Sequence, residues 1–148
     1  MTVEIRHASI ADLDAVTPLF DGYRQFYGQP SDLAVARDFL QDRFRHMDSA
    51  ILLAVADGQP AGFTQLYPSF TSVGCARIFV LNDLFVAPAH RGKDVGGRLL
   101  DAAAEFGRRM GAVRLTLSTA VDNHTAQSVY AHKGWARSDA FLTYNLAL

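Results

Sequence analysis

Arg91-Gly92-Lys93-Asp94-Val95-Gly96-Gly97 packs two basic residues and three glycines into one short stretch, directly after the apolar run Leu84-Phe85-Val86. Helical periodicity begins at once beyond it, so a strand is expected to enter a basic loop that opens into a helix. The first N–H groups of a helix have no partner inside it, and the aligned peptide dipoles make that end positive. Such an arrangement suits a pyrophosphate. Arg91, Lys93 and Arg98 are expected to gather positive charge around the same point. Two phosphate loops are excluded. The chain has no G-x-x-x-x-G-K-[ST], so it is not a nucleoside-triphosphate P-loop. It has no G-x-G-x-x-G followed by an acidic residue after a second strand, so a dinucleotide fold is not indicated.

A second element lies downstream: Asp122-Asn123-His124-Thr125-Ala126-Gln127-Ser128-Val129-Tyr130, then Lys133-Gly134-Trp135. Together with R-G-x-x-x-G-G, this resembles the GNAT N-acetyltransferase family. That family's acyl-CoA loop reads R/Q-x-x-G-x-G/A, and its later helix reads N-x-x-A-x-x-x-Y-x-x-x-G-F/W. The resemblance spans essentially all 148 residues and is nearest the spermidine/spermine acetyltransferase-like branch, in which an acidic pair precedes the L/F-F-V run. The chain departs from the pattern twice. Asp94 stands where the first glycine of R-x-x-G-x-G is usual, and Asn82 stands where the branch holds glutamate. Asp tolerates positive φ better than most residues, so the turn can survive. Its carboxylate would nonetheless repel a pyrophosphate.

The resemblance implies acetyl-CoA as cosubstrate and a homodimer; no metal is expected, because the histidines lack ligand spacing. Backbone groups of Leu84, Phe85 and Val86 would bind the pantetheine arm as an added strand, and one N–H can polarise the thioester carbonyl. The loop from Arg91 and Gly92 through Lys93, Asp94, Val95, Gly96 and Gly97 would hold the pyrophosphate, with Asn123 and Tyr130 completing the coenzyme contacts. A phenol with a pKa of about 10 can protonate a leaving thiolate, which gives Tyr130 a catalytic role. The bland alternative is a core aromatic with a wet hydroxyl. Asn123 is in any case good helix N-cap chemistry.

An alkylammonium has a pKa of about 10.4, so an amine acceptor must lose a proton before it attacks. Asn82 cannot act as a base. Asp83 can, directly or through water; the alternative is a carboxylate that only orients an ammonium or pairs with an Arg. Tyr27, Asn82 and Asp83 are the expected acceptor contacts. Tyr23, Phe26 and Tyr27 offer cation–π faces, although Tyr23 and Tyr27 also continue an apolar stripe and so suit core packing. His7, His46, His90, His124 and His132 show no metal-ligand spacing supported by carboxylates. The rival reading from another class is a non-catalytic acyl-CoA-binding module.

Composition narrows the field further. A net charge of −1 argues against strong attraction to nucleic acid or anionic membrane. The single Cys75 excludes an internal disulfide framework and is expected to be a small buried residue rather than a nucleophile. No signal-peptide pattern opens the chain and no apolar run approaches a membrane span, so a single cytoplasmic domain over 1–148 is expected.

The elements that must position these residues follow from periodicity and turn chemistry. A strand is expected over Val3–His7, then a helix entered through Ser9 as N-cap with Asp12 three residues on, carrying Leu13, Val16, Phe20, Tyr23 and Tyr27. A second helix, capped by Ser31 or Asp32, carries Val35, Phe39, Leu40, Phe44 and Met47. Strands over Ile51–Ala56 and Ala61–Tyr67 flank an Asp57-Gly58 turn, and a long strand runs Arg77–Val86. A third helix presents Val95, Leu99, Leu100, Ala103, Phe106 and Met110 and ends at Gly111. A strand over Val113–Ser118, a helix over Asn123–His132 ended by Gly134, and a last strand over Phe141–Leu146 complete the order. The implied class is α/β (α+β): a mixed, mostly antiparallel sheet with splayed central strands and flanking helices.

Overall fold

The computed structural model describes residues 2–148. Contacts cluster into two compact units, Met1–Ser118 and Thr119–Leu148. The first unit holds β1 (Val3–His7), α1 (Leu13–Phe26), α2 (Leu33–His46), β2 (Ala50–Ala56), β3 (Gln59–Thr71), β4 (Ala76–Val86), α3 (Val95–Arg109) and β5 (Leu115–Thr116). Its sheet is ordered β1-β2-β3-β4-β5. Neighbours are antiparallel up to β4, and β5 joins β4 in parallel.

Helix boundaries follow the capping chemistry. Ser9 and Asp12 form the expected capping box, here over a single 3-10 turn (Ile10–Asp12) that leads into α1. Arg6 holds Asp12 through a bidentate pair at 2.9 and 2.7 Å. The side chain of Asp32 caps α2 by accepting from Val35 N–H at 3.1 Å. Between these helices, Asp21 is buried and accepts from Ser31 Oγ, Asp32 N–H and Gln25 Nε2. Burial pushes its carboxyl up, but these donors and Arg24 outweigh that and hold it below the usual range. This anchor fixes the turn at which α1 ends.

α1 and α2 cover one face of the sheet in a core of Val16, Phe20, Leu40, Ile51, Leu53 and Phe63. α3 covers the other face, with Leu99 and Leu100 buried and Phe106 packed edge-on against Phe79. Side chains on a regular strand alternate faces, so Phe79 and Phe85, six residues apart, should share one. They do not. Phe79 meets α3, whereas Phe85 lies so close under Gly22 of α1 that a Cβ there would sit 2.9 Å from the ring. The cause is a β-bulge: Leu66 pairs with Leu81 but Gln65 with Asp83, which leaves Asn82 as the extra residue.

Several expectations are corrected. β3 runs on to Thr71 through Pro68, which is tolerated because β2 pairing ends at Leu66, leaving that side of β3 without a ladder needing the missing N–H. Cys75 is exposed rather than buried; with φ of 50° it closes the β3–β4 hairpin, its N–H donating to Ser72 O at 3.1 Å. On α2 the buried stripe is Ala36 and Leu40, while Val35 and Met47 are exposed. β5 is shortened to two residues.

The unit Thr119–Leu148 contains one helix, α4 (His124–His132). Gly134, at φ of 90°, follows the helix where the pattern placed its end, and Trp135 N–H donates to Tyr130 O at 2.9 Å. The expected strand over Phe141–Leu146 is not formed. Alternating apolar residues become a strand only with a ladder partner, and none pairs with this segment among the described residues.

Candidate active site

The bulge at Asn82 turns Asp83 to the face covered by α1. There Asp83 is 1 % exposed, with both carboxylate oxygens held by amides. Asn82 Nδ2 donates to Oδ1 at 2.8 Å, and Gln65 Nε2 to Oδ2 at 2.6 Å. Gln65 is itself fully buried and accepts from Ser49 Oγ at 2.8 Å. Thr64 Oγ1 donates to Asp83 O at 2.7 Å, tying the same residue's backbone. Burial pushes the Asp83 carboxyl above its ordinary range, opposed by the amide bonds from Asn82 and Gln65 and by the nearby Tyr23 hydroxyl.

The end of α1 lies over this carboxylate. Tyr23 is half-buried, packed against Phe20, Phe63 and Tyr27 with ring centroids 6.1, 6.0 and 5.1 Å apart. Its hydroxyl donates to the carbonyl of the bulged Asn82 at 3.1 Å. Burial and the Asp83 charge push its phenol far above the usual range. Tyr67, on β3, is pushed up to about 12 by burial and then by Asp83. Tyr27 is not a core residue: it is 56 % exposed beside an equally open Phe26. Asn82 is exposed as well. Of the expected acceptor contacts, Tyr27 and Asn82 therefore face solvent and Asp83 does not.

The loop expected to hold the pyrophosphate follows β4, whose last residue, Val86, lies three positions beyond Asp83. β5 pairs only with Phe79 and Val80, so Leu84, Phe85 and Val86 lie beyond any β4–β5 ladder. This is the splay expected of the central strands. After a 3-10 turn (Pro88–His90), Gly92 takes φ of 76° and Asp94 takes φ of 60° and ψ of 21°. Asp94 thus adopts the left-handed turn in place of glycine. The first helical bond of α3 runs from Arg98 N–H to Asp94 O at 3.0 Å. The N–H groups of Val95, Gly96 and Gly97 precede it, and the Asp94 side chain caps none of them. Three donors at a positive helix end fit a pyrophosphate. Lys93 and Asp94 are exposed. Arg91 folds back, its Nε donating to Val86 O at 2.9 Å and its guanidinium lying 5.5 Å from the Phe85 ring centroid. Arg98 departs from expectation: its Nη1 donates to Val3 O of β1 at 3.2 Å, so it does not join the loop charges.

In the second unit Asn123 caps α4, its Oδ1 accepting from Ala126 N–H at 3.2 Å. Tyr130, two turns on, lies beside Trp135 with centroids 6.2 Å apart.

The model of the acetyltransferase (GNAT) family matches residues 14–135. The chain belongs to that family. Among relatives of this GNAT acetyltransferase, the uncharacterized N-acetyltransferase YhfO of Bacillus subtilis (strain 168) is 46 % identical over 144 residues, 97 % of each chain. The crystal structure of a probable acetyltransferase superposes with a TM-score of 0.92 at 41 % identity, over 98 % of this chain and 97 % of that one. The structure of AAC(6')-Iy in complex with a bisubstrate analogue, CoA-S-monomethyl-acetylneamine, matches over 100 % of each chain with a TM-score of 0.82 at 20 % identity, a likeness of fold.

Gln65, Ser49 and Tyr67 are the site residues that sequence reasoning missed in this acetyltransferase. Only Gln65 left a trace, a polar residue inside the apolar run Ala61–Tyr67 with no turn to explain it. No group of three or more His, Cys, Asp or Glu side chains is placed to hold a metal among the described residues, and none of their helices is long and apolar enough to cross a membrane.

Proposed function

We propose that this GNAT acetyltransferase moves the acetyl group of acetyl-CoA directly to a primary amine, of a small molecule or of a protein, with Asp83 as the base. The observation that carries the reading is the Asp83 carboxyl itself. A bulge turns it to the α1 face, burial raises its proton affinity, and only amides are bonded to its oxygens. A raised carboxyl is the better proton acceptor for an ammonium at neutral pH. In this reading the N–H groups of Val95, Gly96 and Gly97 hold the pyrophosphate with Arg91, Gly92 and Lys93, and the open edge at Leu84, Phe85 and Val86 takes the pantetheine amides. Asn123 contributes to coenzyme binding, and Tyr130 protonates the departing thiolate. Tyr27 and Asn82 meet the acceptor.

Direct transfer is favoured over an acyl-cysteine. The only cysteine, Cys75, lies in the hairpin before β4, while the loop follows its far end; eleven strand residues span about 36 Å. Homodimeric assembly and a cytoplasmic setting belong to the same reading. The test is a panel of polyamines, amino acids and peptides with free N-termini or lysines, following thiol release from acetyl-CoA. Release that depends on a primary amine supports the proposal; release indifferent to every amine overturns it.

A further inference from the structure

Asp83 is sealed. At 1 % exposure it cannot touch an acceptor arriving from solvent, and the amide groups of Asn82 and Gln65 bonded to it cannot pass a proton on. Behind it, Gln65 and Thr64 are fully buried. A base so placed needs a group that reaches both the carboxylate and the acceptor side. Two half-buried phenols border it, Tyr23 from α1 and Tyr67 from β3. Of the two, Tyr23 sets its hydroxyl against the backbone next to Asp83, 3.1 Å from the carbonyl of the preceding residue, Asn82, whereas Tyr67 feels Asp83 through charge. Tyr23 is also held in place by three aromatic neighbours and by the Asn82 carbonyl.

We propose that the Tyr23 hydroxyl is a catalytic proton relay, taking the proton of the bound ammonium as it passes its own to Asp83. The inference rests on the reading of Asp83 as the base. The step balances without a further reactant. An N–H bond of the ammonium breaks and a Tyr23 O–H bond forms, while the original Tyr23 O–H bond breaks and an O–H bond to an Asp83 oxygen forms. The amine gains its lone pair, Asp83 becomes neutral and Tyr23 is unchanged. In the step the hydroxyl turns from the Asn82 carbonyl, where it rests, to the carboxylate of the next residue. Tyr23 does not wait as a phenolate, because burial and the neighbouring charge disfavour that form.

The test compares Tyr23→Phe, Tyr67→Phe and Asp83→Asn in kcat, in KM for the amine and in pH profile, with thermal melting to confirm folding. Phe keeps the ring contacts. Tyr23→Phe is expected to lower kcat by about 10²-fold or more, as loss of a proton-transfer group does, with little change in KM. It is also expected to flatten the acidic limb that Asp83 sets. Tyr27, Tyr67 and Asp83 are the titratable groups acting on Tyr23, with Arg43 and Asp48 acting on Tyr67, so Tyr67→Phe controls for a general field effect. An unchanged kcat in Tyr23→Phe, or an effect confined to KM, overturns the relay. An equal loss in Tyr67→Phe overturns it too. If Asp83→Asn is fully active, the underlying assignment of the base fails, and that outcome is distinct from failure of the relay alone.

Discussion

Gln65 and Asp83 face each other across β3 and β4, and the Gln65 amide donates to Asp83 Oδ2 at 2.6 Å. This bond favours the ionised carboxylate against the desolvation that opposes it. A hydrogen bond to a charged group contributes about 1.5–3 kcal/mol, and one pKa unit corresponds to 1.36 kcal/mol. Gln65→Leu is therefore expected to move the acidic limb of the pH–rate profile upward by about 1–2 units. A limb that stays where it is would remove Gln65 from the control of Asp83.

Asp83→Asn should cost about 10²–10⁴-fold in rate and abolish the acidic limb. It should also change how stability depends on pH. Because the folded-state pKa is raised, the native chain binds this proton more tightly than the unfolded chain. The wild type therefore loses stability as pH rises from the ordinary carboxylate range through the raised value, and the full cost is present above it. Relative to wild type, the Asn variant should melt higher at neutral pH than at acid pH. Thermal melts across that window check this; a difference independent of pH would show that the carboxyl is not shifted.

The features that became legible in the sequence share a local cause. Ser9 with Asp12, Asp32, Asn123 and Gly134 are capping residues, and each acts within a few residues of its own position. The strand–loop–helix from Leu84 to Leu100 was likewise readable, as was the left-handed turn at Asp94. What stayed hidden depends on pairing between strands. One extra residue at Asn82 reverses the face of everything after it in β4, and no periodicity within Arg77–Val86 announces that reversal. The partnership of Gln65 with Asp83 exists only once that register is set. The segment Phe141–Leu146 carried a strand's alternation but found no ladder, so its pattern was not enough.

Asp94 offers a test of the proposed coenzyme loop. It holds φ of 60° without capping α3, and its carboxylate is exposed. Asp94→Gly should relieve strain of about 1 kcal/mol or less, so melting should not fall. It also removes a negative charge beside the Val95–Gly97 donors. Acetyl-CoA should bind a few-fold tighter at low salt, with a gain that shrinks as salt rises. Calorimetric titration at two salt concentrations measures this. Weaker binding at both would mean that the aspartate helps to build the loop.

Tyr130→Phe keeps the ring beside Trp135 but removes the hydroxyl. Acetyl-CoA binding should be retained while turnover slows by about 10²–10⁴-fold. An unchanged rate, with chemistry shown to be the slow step, would assign Tyr130 to packing.

The most direct measurement is the stoichiometry of transfer with the best acceptor of an amine panel. Purified protein, acetyl-CoA and that amine should yield free thiol and N-acetylated amine in equal amounts, and omission of the amine should leave the thioester intact. Acetyl-CoA that binds in calorimetry yet is never consumed with any amine would contradict the account and make the chain a binding module.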